Sequence, residues 1–258
     1  MLSSLNKIGS HTKTVLRDIG RRFGFEIRLS GVNSRDDLRF VHFLELHKID
    51  TVLDVGANRG QFATELYRAG FQGRIISFEP LPDAYAVLTK AAADFGERWT
   101  VGPCVALSDK TETTRFFVTE ADRSSSLLEP LDSFIEATPI VRVEENIEVQ
   151  TERLDKLVGE LNLDDARAFL KLDVQGSEAQ VLAGASETIE NLHGVLIELS
   201  FANLYAGQSS AIAILQLMSE LGFEVWDIWR GYHNPKTRRL NQVDALFFKA
   251  EAGTETER

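Results

Sequence analysis

Residues 51–60 read Thr51-Val52-Leu53-Asp54-Val55-Gly56-Ala57-Asn58-Arg59-Gly60, and this stretch decides the fold of the chain. Its apolar start predicts a buried strand that ends at Gly56, and residues 61–70 continue as a helix closed by a glycine. A second apolar strand, residues 74–78, leads directly to Glu79. In such a unit the glycine turn lets a ligand approach the backbone, and the second-strand carboxylate can accept both ribose hydroxyls. The stretch therefore predicts half of a nucleoside-binding site.

The spacing of the glycines indicates which nucleoside the turn would hold. Dinucleotide-binding turns carry three glycines as G-x-G-x-x-G, whereas this turn has only Gly56 and Gly60. Asp54 precedes the first glycine by two residues, where a negative charge would repel a pyrophosphate but suits a ligand with an ammonium and a sulfonium. S-adenosylmethionine is such a ligand. A tight turn in some other α/β protein is the structural alternative.

Strand and helix patterns alternate along most of the chain. This predicts an α/β fold with a mostly parallel, seven-stranded sheet, helices on both faces and an antiparallel last strand. Residues 110–155 break the alternation with short strands and loops, and we expect an inserted segment that faces the substrate. The other predicted elements are helices at 35–47, 82–95 and 210–221 and strands at 100–107, 168–173, 195–199, 223–228 and 244–248.

Composition limits the classes of function. The chain has 258 residues and a formal net charge of -11, which fits one large domain and disfavours a nucleic-acid partner. Its single cysteine, Cys104, excludes an internal disulfide and is typical of a reducing compartment. Because no stretch has the apolar length of a membrane span or the pattern of a signal peptide, the sequence predicts a cytoplasmic protein.

The two ends of the chain differ from the domain that we expect at residues 49–250. Residues 1–48 are expected to form a basic helical extension, with seven basic and two acidic residues between Lys7 and Arg35. Interleaved apolar residues suit contact with an anionic membrane surface or a lipid-linked substrate, and packing of a solvated helix on the domain is the alternative. The polar residues 251–258 are expected to be a disordered tail.

Six short blocks stand out in fixed order along the chain: Asp54–Gly60, Phe78–Pro80, Ala106–Asp109, Ser125–Leu127, Lys171–Glu178 and Asp244–Leu246. Together they resemble the FkbM-type methyltransferases, over about residues 50–249. The resemblance implies a class I methyltransferase, Rossmann-like fold and O-methylation, very often of a sugar hydroxyl in a glycolipid, polysaccharide or macrolide. The chain departs from the family at Gln175, where glutamate is common, so position 175 is not assigned as a base or metal ligand.

Candidate donor contacts follow from the position of each residue in the predicted sheet. Ligands of open α/β sheets bind at the carboxyl ends of the strands, so residues at those ends are assigned to the donor. The expected contacts are Gly56, Asn58 and Gly60 with the methionine side, Asp54 with the ammonium, Glu79 with the ribose, and Leu107 and Ser108 with the adenine.

Methyl transfer to an alcohol needs oxygen, methyl carbon and sulfur in line and a group that removes the hydroxyl proton. Asp173, at the end of a predicted strand, is the first candidate for the general base or for a carboxylate that organises a metal, and capping of the next turn is the alternative. Glu198 and His233 are the other catalytic candidates. No His/Cys cluster has ligand spacing, so zinc is not expected, whereas Mg²⁺ on Asp173 and a neighbouring acid stays open.

The sequence therefore predicts an S-adenosylmethionine-dependent O-methyltransferase that methylates a sugar hydroxyl of a glycolipid, polysaccharide or glycosylated metabolite. Its expected partner is a small-molecule or glycan acceptor. The alternatives are a methyltransferase for a non-sugar small molecule, a catalytically silent module that binds S-adenosylmethionine and, more remotely, an NAD-dependent reductase.

Overall fold

The computed structural model describes residues 35–250 except 160, 162, 164 and 165. The predicted basic extension, apart from its last residues, and the predicted tail at 251–258 lie outside the described residues, so membrane contact by the extension stays a prediction. Within the described ranges, no helix combines the length and apolarity needed to cross a bilayer.

The strands and helices alternate as predicted. The strands are β1 (Thr51–Val55), β2 (Arg74–Phe78), β3 (Trp99–Val101), β4 (Ala106–Leu107), β5 (Glu112–Thr119), β6 (Val143–Glu152), β7 (Ala168–Leu172), β8 (Gly194–Ser200), β9 (Phe223–Arg230) and β10 (Gln242–Lys249). The helices are α1 (Asp36–Leu46), α2 (Gln61–Ala69), α3 (Pro82–Ala93), α4 (Asp132–Ala137), α5 (Leu154–Val158), α6 (Glu178–Gly184), α7 (Thr188–Asn191) and α8 (Ala211–Glu220). Short 3-10 turns lie at Gly96–Arg98, Asp122–Ser124 and Pro139–Val141.

Seven strands form the main sheet, in the order β3-β2-β1-β7-β8-β10-β9. The first five strands in this order, β3, β2, β1, β7 and β8, pair in parallel. Strand β10 lies between β8 and β9 and is antiparallel to both. This order confirms the predicted α/β fold, its mostly parallel sheet and its antiparallel last strand. It also brings the carboxyl ends of β1, β2, β7 and β8 to one edge, where ligands of such sheets bind.

The two faces of the sheet are covered by different helices. Successive strand residues point to opposite faces, so Val52 joins one apolar cluster and Leu53 the other. Helices α1, α2 and α3 contribute to the cluster with Val52, through residues such as Phe40, while α5 to α8 contribute to the cluster with Leu53, through residues such as Met218. The central strands are therefore buried on both faces, which explains their nearly continuous apolar sequence.

The predicted third strand, residues 100–107, is wrong in extent. The chain forms β3 in the main sheet, turns at Gly102 and Pro103, and continues as β4 in a different sheet. Proline lacks the amide hydrogen that a strand would donate. A Cβ built on Gly102 would lie 2.5 Å from the ring of Phe78, so the chain packs tightly there. The apolar residues of this stretch have the pattern of one continuous strand, so the sequence did not show that the chain passes from one sheet to another.

The inserted segment supplies β5 and β6 of a small three-stranded sheet, which β4 completes in the order β4-β6-β5. Strands β5 and β6 pair antiparallel over most of their length, and β4 joins β6 in parallel. Buried Phe116 and Val149 from this sheet pack against Leu81 and Ala84 at the start of α3. The segment thus lies against the chain that follows β2, next to the predicted nucleoside turn.

Candidate active site

The turn after β1 has a backbone that favours glycine. Gly56 and Gly60 have φ values of 74° and 84°, and Asn58 between them has a φ of 47°. A Cβ built on Gly56 would lie 1.9 Å from the carbonyl oxygen of Asp173, so the turn is pressed against the end of β7. A Cβ on Gly60 would lie 2.7 Å from the ring of Trp99, which fixes the start of α2. Both glycines are therefore required by packing as well as by conformation.

Glu79 lies at the end of β2 and holds the turn in place. Its two carboxylate oxygens accept hydrogen bonds from the backbone amides of Asn58, at 2.7 Å, and Leu81, at 2.9 Å. Only 4% of the residue is exposed, and this burial raises the pKa of Glu79 to about 7 although both amides favour the charged form. Each oxygen keeps one lone pair, so the carboxylate can still accept a hydrogen bond from a ligand.

A first cavity opens between the ends of β1 and β2 and the inserted segment. It holds about 590 Å³ of space, a volume that includes open solvent. Its polar side includes Gly56, Asn58 and Glu79, and its apolar side includes Leu107, Phe116 and Leu127. This division suits a ligand with a flat apolar base and a polar sugar.

The predicted adenine contacts are only partly at this cavity. Leu107 lines it, whereas Ser108 does not and is buried beyond it. The Ser108 amide donates to the Glu152 carbonyl at 2.9 Å, and its hydroxyl donates to the carboxylate of Asp109 at 3.2 Å. Ser108 thus stabilises the end of β4 and does not contact the cavity, because β4 turns it toward β6.

The inserted segment supplies cavity residues that the sequence analysis did not assign. Asp122, Arg123 and Ser125 line the first cavity, from the 3-10 turn and the residue after it. The neighbouring Ser126 hydroxyl donates to the Gln175 carbonyl at 2.8 Å, which attaches the segment to the turn after β7. The run of three serines at 124–126 was the available signal, because small polar residues in a loop often bond to backbone.

Asp54 does not lie where the sequence predicted it. It is fully buried in β1, does not line the first cavity, and forms an ion pair with Lys171 at 3.0 Å. Its other oxygen accepts a hydrogen bond from the Ser77 hydroxyl at 3.0 Å. Because Lys171 balances the charge in place, Asp54 does not face the ammonium of a ligand. The argument that its charge would repel a pyrophosphate is therefore wrong.

Asp173 and Gln175, which follow β7, form a connected group with Glu198, which lies near the carboxyl end of β8. The Gln175 side-chain nitrogen donates to Asp173 at 2.7 Å and to Glu198 at 3.0 Å. Glu198 also accepts a hydrogen bond from the side chain of Gln242 at 2.6 Å. Gln175 itself has a φ of 54°, so the turn holds its amide between the two carboxylates in a left-handed conformation. The amide separates two groups that would otherwise repel each other.

Three acidic side chains in and around this group, Glu198, Glu178 and Asp244, have raised pKa values. Burial, followed by the charges of Asp173 and Glu178, raises the pKa of Glu198 well above its ordinary value. Burial also raises the pKa of Glu178 to about 7, while its carboxylate accepts from the Gly176 amide at 3.0 Å. Asp244 has a pKa of about 6, through burial and the charge of Asp173. A concentration of acids with raised pKa values is typical of active sites.

A second cavity lies on the other side of the Gly56 turn and holds about 800 Å³ of space open to solvent. It is lined by Phe62, Trp229 and Asp244, among other residues, and shares Gly56, Asn58, Arg123 and Asp173 with the first cavity. The two cavities therefore meet at Asp173. This residue has the position expected for a group that acts between two bound molecules.

Tyr205, which the sequence analysis missed, closes the group from the inserted side. It is 1% exposed, and its hydroxyl lies 2.9 Å from both the side-chain oxygen of Gln175 and the carbonyl of Ser124. It thus fixes which way the Gln175 amide points, with nitrogen toward the carboxylates. A tyrosine in a loop gave no sequence signal of this role.

His233 is not part of this group. It is exposed in the loop between β9 and β10, lines neither cavity, and its ring nitrogen contacts the Gly231 carbonyl at 3.1 Å. The structure therefore gives no support to His233 as an alternative base, because this residue lies outside both cavities. Of the aromatic residues near it, Trp229 lines the second cavity, whereas Trp226 packs on His47 and Phe248.

The carboxylates do not form a metal site. In the described part of the chain, no three histidine, cysteine or acidic side chains are grouped so that they could hold an ion. The Gln175 amide occupies the place between Asp173 and Glu198 where a cation would have to bind both. The donor set therefore does not fit the Mg²⁺ that the sequence left open.

A family model described as the methyltransferase FkbM domain matches residues 54–225. The chain is 32% identical to the 2-O-methyltransferase NoeI of Sinorhizobium fredii over 67% of this chain and 73% of that protein. It is 29% identical to the 31-O-demethyl-FK506 methyltransferase FkbM of Streptomyces tacrolimicus, over 57% of this chain and 63% of that protein. Among solved structures, magnesium protoporphyrin IX methyltransferase from Synechocystis aligns with a TM-score of 0.44 and 12% identity, over 92% and 97% of the two chains.

Proposed function

Because this chain belongs to the FkbM methyltransferase family and is a methyltransferase, we propose that it transfers a methyl group from S-adenosylmethionine to a hydroxyl oxygen of a saccharide. The acceptor would be a glycolipid, a polysaccharide or a glycosylated metabolite. One observation carries this proposal furthest: Asp173 lines both cavities and so lies between a donor in the first and an acceptor in the second.

The first cavity supports binding of the donor. Glu79 offers a buried carboxylate to the ribose hydroxyls, and Gly56 and Asn58 offer the methionine end a close approach to backbone. Gly60, which was also predicted to contact the methionine side, lines neither cavity and packs on Trp99. Leu107, Phe116 and Leu127 give the adenine an apolar slot. Each of these contacts requires only groups that already face the cavity.

The second cavity supports binding of the acceptor. Trp229 provides an aromatic surface of the kind on which a sugar ring can pack, and its indole nitrogen donates to Asp227 at 2.6 Å, so its orientation is fixed. Asp244 and Lys171 add polar groups on the same wall. A cavity that combines the aromatic rings of Phe62 and Trp229 with a few polar side chains suits a sugar, which has apolar faces and hydroxyl edges.

Asp173 would take the proton of the acceptor hydroxyl. In the reaction the hydroxyl oxygen bonds to the methyl carbon, the carbon–sulfur bond breaks, and S-adenosylhomocysteine leaves with the bonding electron pair on sulfur. The hydroxyl proton passes to the carboxylate of Asp173 and from there to water. The Gln175 amide holds one oxygen of this carboxylate at 2.7 Å, so the base is oriented before the acceptor arrives.

Nothing in this scheme requires a sugar in particular. The NoeI relative is a 2-O-methyltransferase and the FkbM relative methylates 31-O-demethyl-FK506, so both names describe transfer to oxygen but with different acceptors. A non-sugar small molecule is therefore the second candidate acceptor. It would use the same donor cavity and the same base.

The test is transfer of label from methyl-labelled S-adenosylmethionine to separate pools of glycans, glycolipids and non-glycosylated metabolites. Label in a glycan or glycolipid that is lost in the Asp173→Asn variant supports the proposal. Label only in metabolites without sugar supports the second candidate. Binding of S-adenosylhomocysteine without transfer to any pool would support a silent binding module and contradict both.

A further inference from the structure

A third cavity opens beside the site already described, and we call it the asparagine pocket. It lies between α4, the loop after β8 and the loop that joins β9 to β10, and its walls include Ser133, Phe134, Asn203, Arg239 and Asn241. It holds about 540 Å³ of space, a volume that includes open solvent. Neither the donor nor the catalytic group of the proposed function uses it.

Asn241 is the unusual residue of this pocket. It is only 5% exposed, yet its carboxamide makes no hydrogen bond with any described residue. Its backbone is fully paired, since its amide donates to Tyr232 at 2.9 Å and its carbonyl accepts from Phe201 at 2.8 Å. Its carboxamide is not sealed off from solvent, so it meets the open space of the pocket and can bond to a ligand there.

Two further polar side chains of the pocket are also available to a ligand. Within the described ranges, the hydroxyl of Ser133 and the carboxamide of Asn203 form no side-chain hydrogen bond. Together with Asn241 they offer hydrogen-bond donors and acceptors in about equal number, which matches hydroxyl groups better than it matches a single charge.

The pocket is held open by its own framework. The Gln208 side chain accepts from the Leu204 amide at 3.0 Å and donates to the Ser200 hydroxyl at 2.7 Å, which fixes the loop after β8. The Leu131 amide donates to the Leu204 carbonyl at 2.8 Å and attaches the inserted segment to that loop. The walls are therefore formed before a ligand binds, which reduces the entropy lost on binding.

The pocket lies on the same edge of the sheet as Asp173. Asn241 directly precedes β10, which runs antiparallel to β8, so it lies beside the carboxyl end of β8. Two strand spacings separate β10 from β7, or about 10 Å. Phe134 forms the wall between, because its ring packs 5.6 Å from that of Tyr205, and Tyr205 contacts Gln175.

We infer that the asparagine pocket is a second saccharide subsite, which binds a sugar unit next to the one that is methylated. This inference rests on the proposed function and narrows its substrate to an oligosaccharide of at least two units. Asn241, Asn203 and Ser133 bind the hydroxyls of the second unit, and Phe134 with its apolar neighbours packs on the carbon face of the ring. No acidic residue lines the described pocket, which disfavours a cationic ligand.

The test is direct binding to an array of immobilised mono-, di- and oligosaccharides, with S-adenosylhomocysteine present and without methyl transfer. Wild type and the Asp173→Asn variant are expected to retain at least one glycan of two or more units and to bind its single units more weakly. Asn241→Ala should weaken that binding by about tenfold or more, since a hydrogen bond to a buried amide is lost. The Asn203→Ala variant, whose side chain is exposed, should weaken it without affecting folding.

Asn146→Ala is the matched control, because this asparagine is exposed on β6 and lines none of the three cavities. The inference is overturned if wild type retains no glycan, if single sugars bind as well as longer ones, or if folded Asn241→Ala and Asn203→Ala bind like the control. Calorimetry with S-adenosylhomocysteine separates this failure from failure of the proposed function. Normal binding of that product, with single sugars retained as well as longer glycans, overturns the subsite alone. Failure to bind the product, or retention of no glycan at all, also counts against the proposed function.

Discussion

Lys171 and Asp54 form an ion pair that is almost completely withdrawn from solvent, with 3.0 Å between the ammonium nitrogen and a carboxylate oxygen. The same ammonium donates to the carbonyl of Gly56 at 2.9 Å. Burial lowers the pKa of Lys171, but the charges of Asp54 and Asp173 outweigh this effect and hold it above its ordinary value. Lys171 therefore stays charged and links the centre of the sheet to the glycine turn.

Replacing Lys171 should destabilise the fold strongly. In Lys171→Met the carboxylate of Asp54 would remain buried without its counter-charge, which typically lowers the free energy of unfolding by about 3–5 kcal/mol. Urea denaturation followed by circular dichroism measures this loss. Lys156→Met is the control, because the Lys156–Glu152 pair is a surface pair with the lysine side chain 59% exposed, and its loss should be about 0–1 kcal/mol. Equal losses in the two variants would mean that Asp54 is not buried with a charge.

Glu79 should control affinity for the donor. In Glu79→Gln the hydrogen bonds from ribose to a carboxylate become bonds to a neutral amide, which typically loses about 1.5–3 kcal/mol, or roughly 10- to 100-fold in affinity. Titration calorimetry with S-adenosylhomocysteine measures the change. Glu65→Gln, on the exposed face of α2, is the control and should bind like wild type. Unchanged affinity in Glu79→Gln would remove this residue from the ribose.

Glu178 should make stability depend on pH. Its pKa is raised from 4.5 to about 7 in the folded protein, so the unfolded chain releases the proton more easily. Wild type therefore loses stability as the pH rises from about 4.5 to 7, by up to about 3 kcal/mol, whereas Glu178→Gln does not lose this contribution. Denaturant unfolding of both proteins at pH 5 and pH 8 measures the difference. A stability difference that is the same at both pH values would contradict the raised pKa.

Asp173 should act in turnover and not in donor binding. Loss of a placed general base typically lowers the rate by about 10²–10⁴-fold, so Asp173→Asn should transfer methyl groups that much more slowly. Its affinity for S-adenosylhomocysteine should stay as in wild type, because Glu79 and the glycine turn are unchanged. His233→Ala, outside both cavities, should keep wild-type turnover. Activity lost in His233→Ala but kept in Asp173→Asn would reverse the assignment.

Gln175 should determine whether a metal matters. Gln175→Glu would replace the amide that donates to Asp173 and Glu198 with a third carboxylate, and loss of these bonds should lower stability by about 1–3 kcal/mol at pH 8. Millimolar MgCl₂ should raise the melting temperature of this variant but not that of wild type. Chelation of metals should leave methyl transfer by wild type unchanged. A requirement of wild type for Mg²⁺ would show that the amide does not exclude the ion.

The parts of the fold that the sequence predicted are those with a strong local pattern. The apolar run of β1, the glycines around it and the acid after β2 predicted both the sheet and the edge where the cavities lie. Asp54 could not be placed in the same way, because its partner Lys171 is more than a hundred residues away and only the pairing of β1 with β7 brings them together. Its position next to the turn in sequence suggested a ligand contact that burial excludes.

Long-range contacts also explain the other differences. Tyr205 and the serines of the inserted segment reach Gln175 from distant parts of the chain, and no spacing within a short window reports such contacts. His233 had the right chemistry but belongs to a loop whose direction depends on the length of β9. Residue type predicted the kinds of groups at the site, whereas strand pairing determined which of them meet.

The close contact between Gly56 and Asp173 limits how this enzyme could be redesigned. Backbone meets backbone there, with no side chain between them that mutation could shorten or lengthen. The position of Asp173 relative to the glycine turn is thus set by the pairing of β1 with β7. A change of acceptor preference would have to come from the loops and inserted residues around Gly56 and Asp173. Mutant libraries for new specificities therefore belong in residues 122–137 and 201–208 and not in the glycine turn.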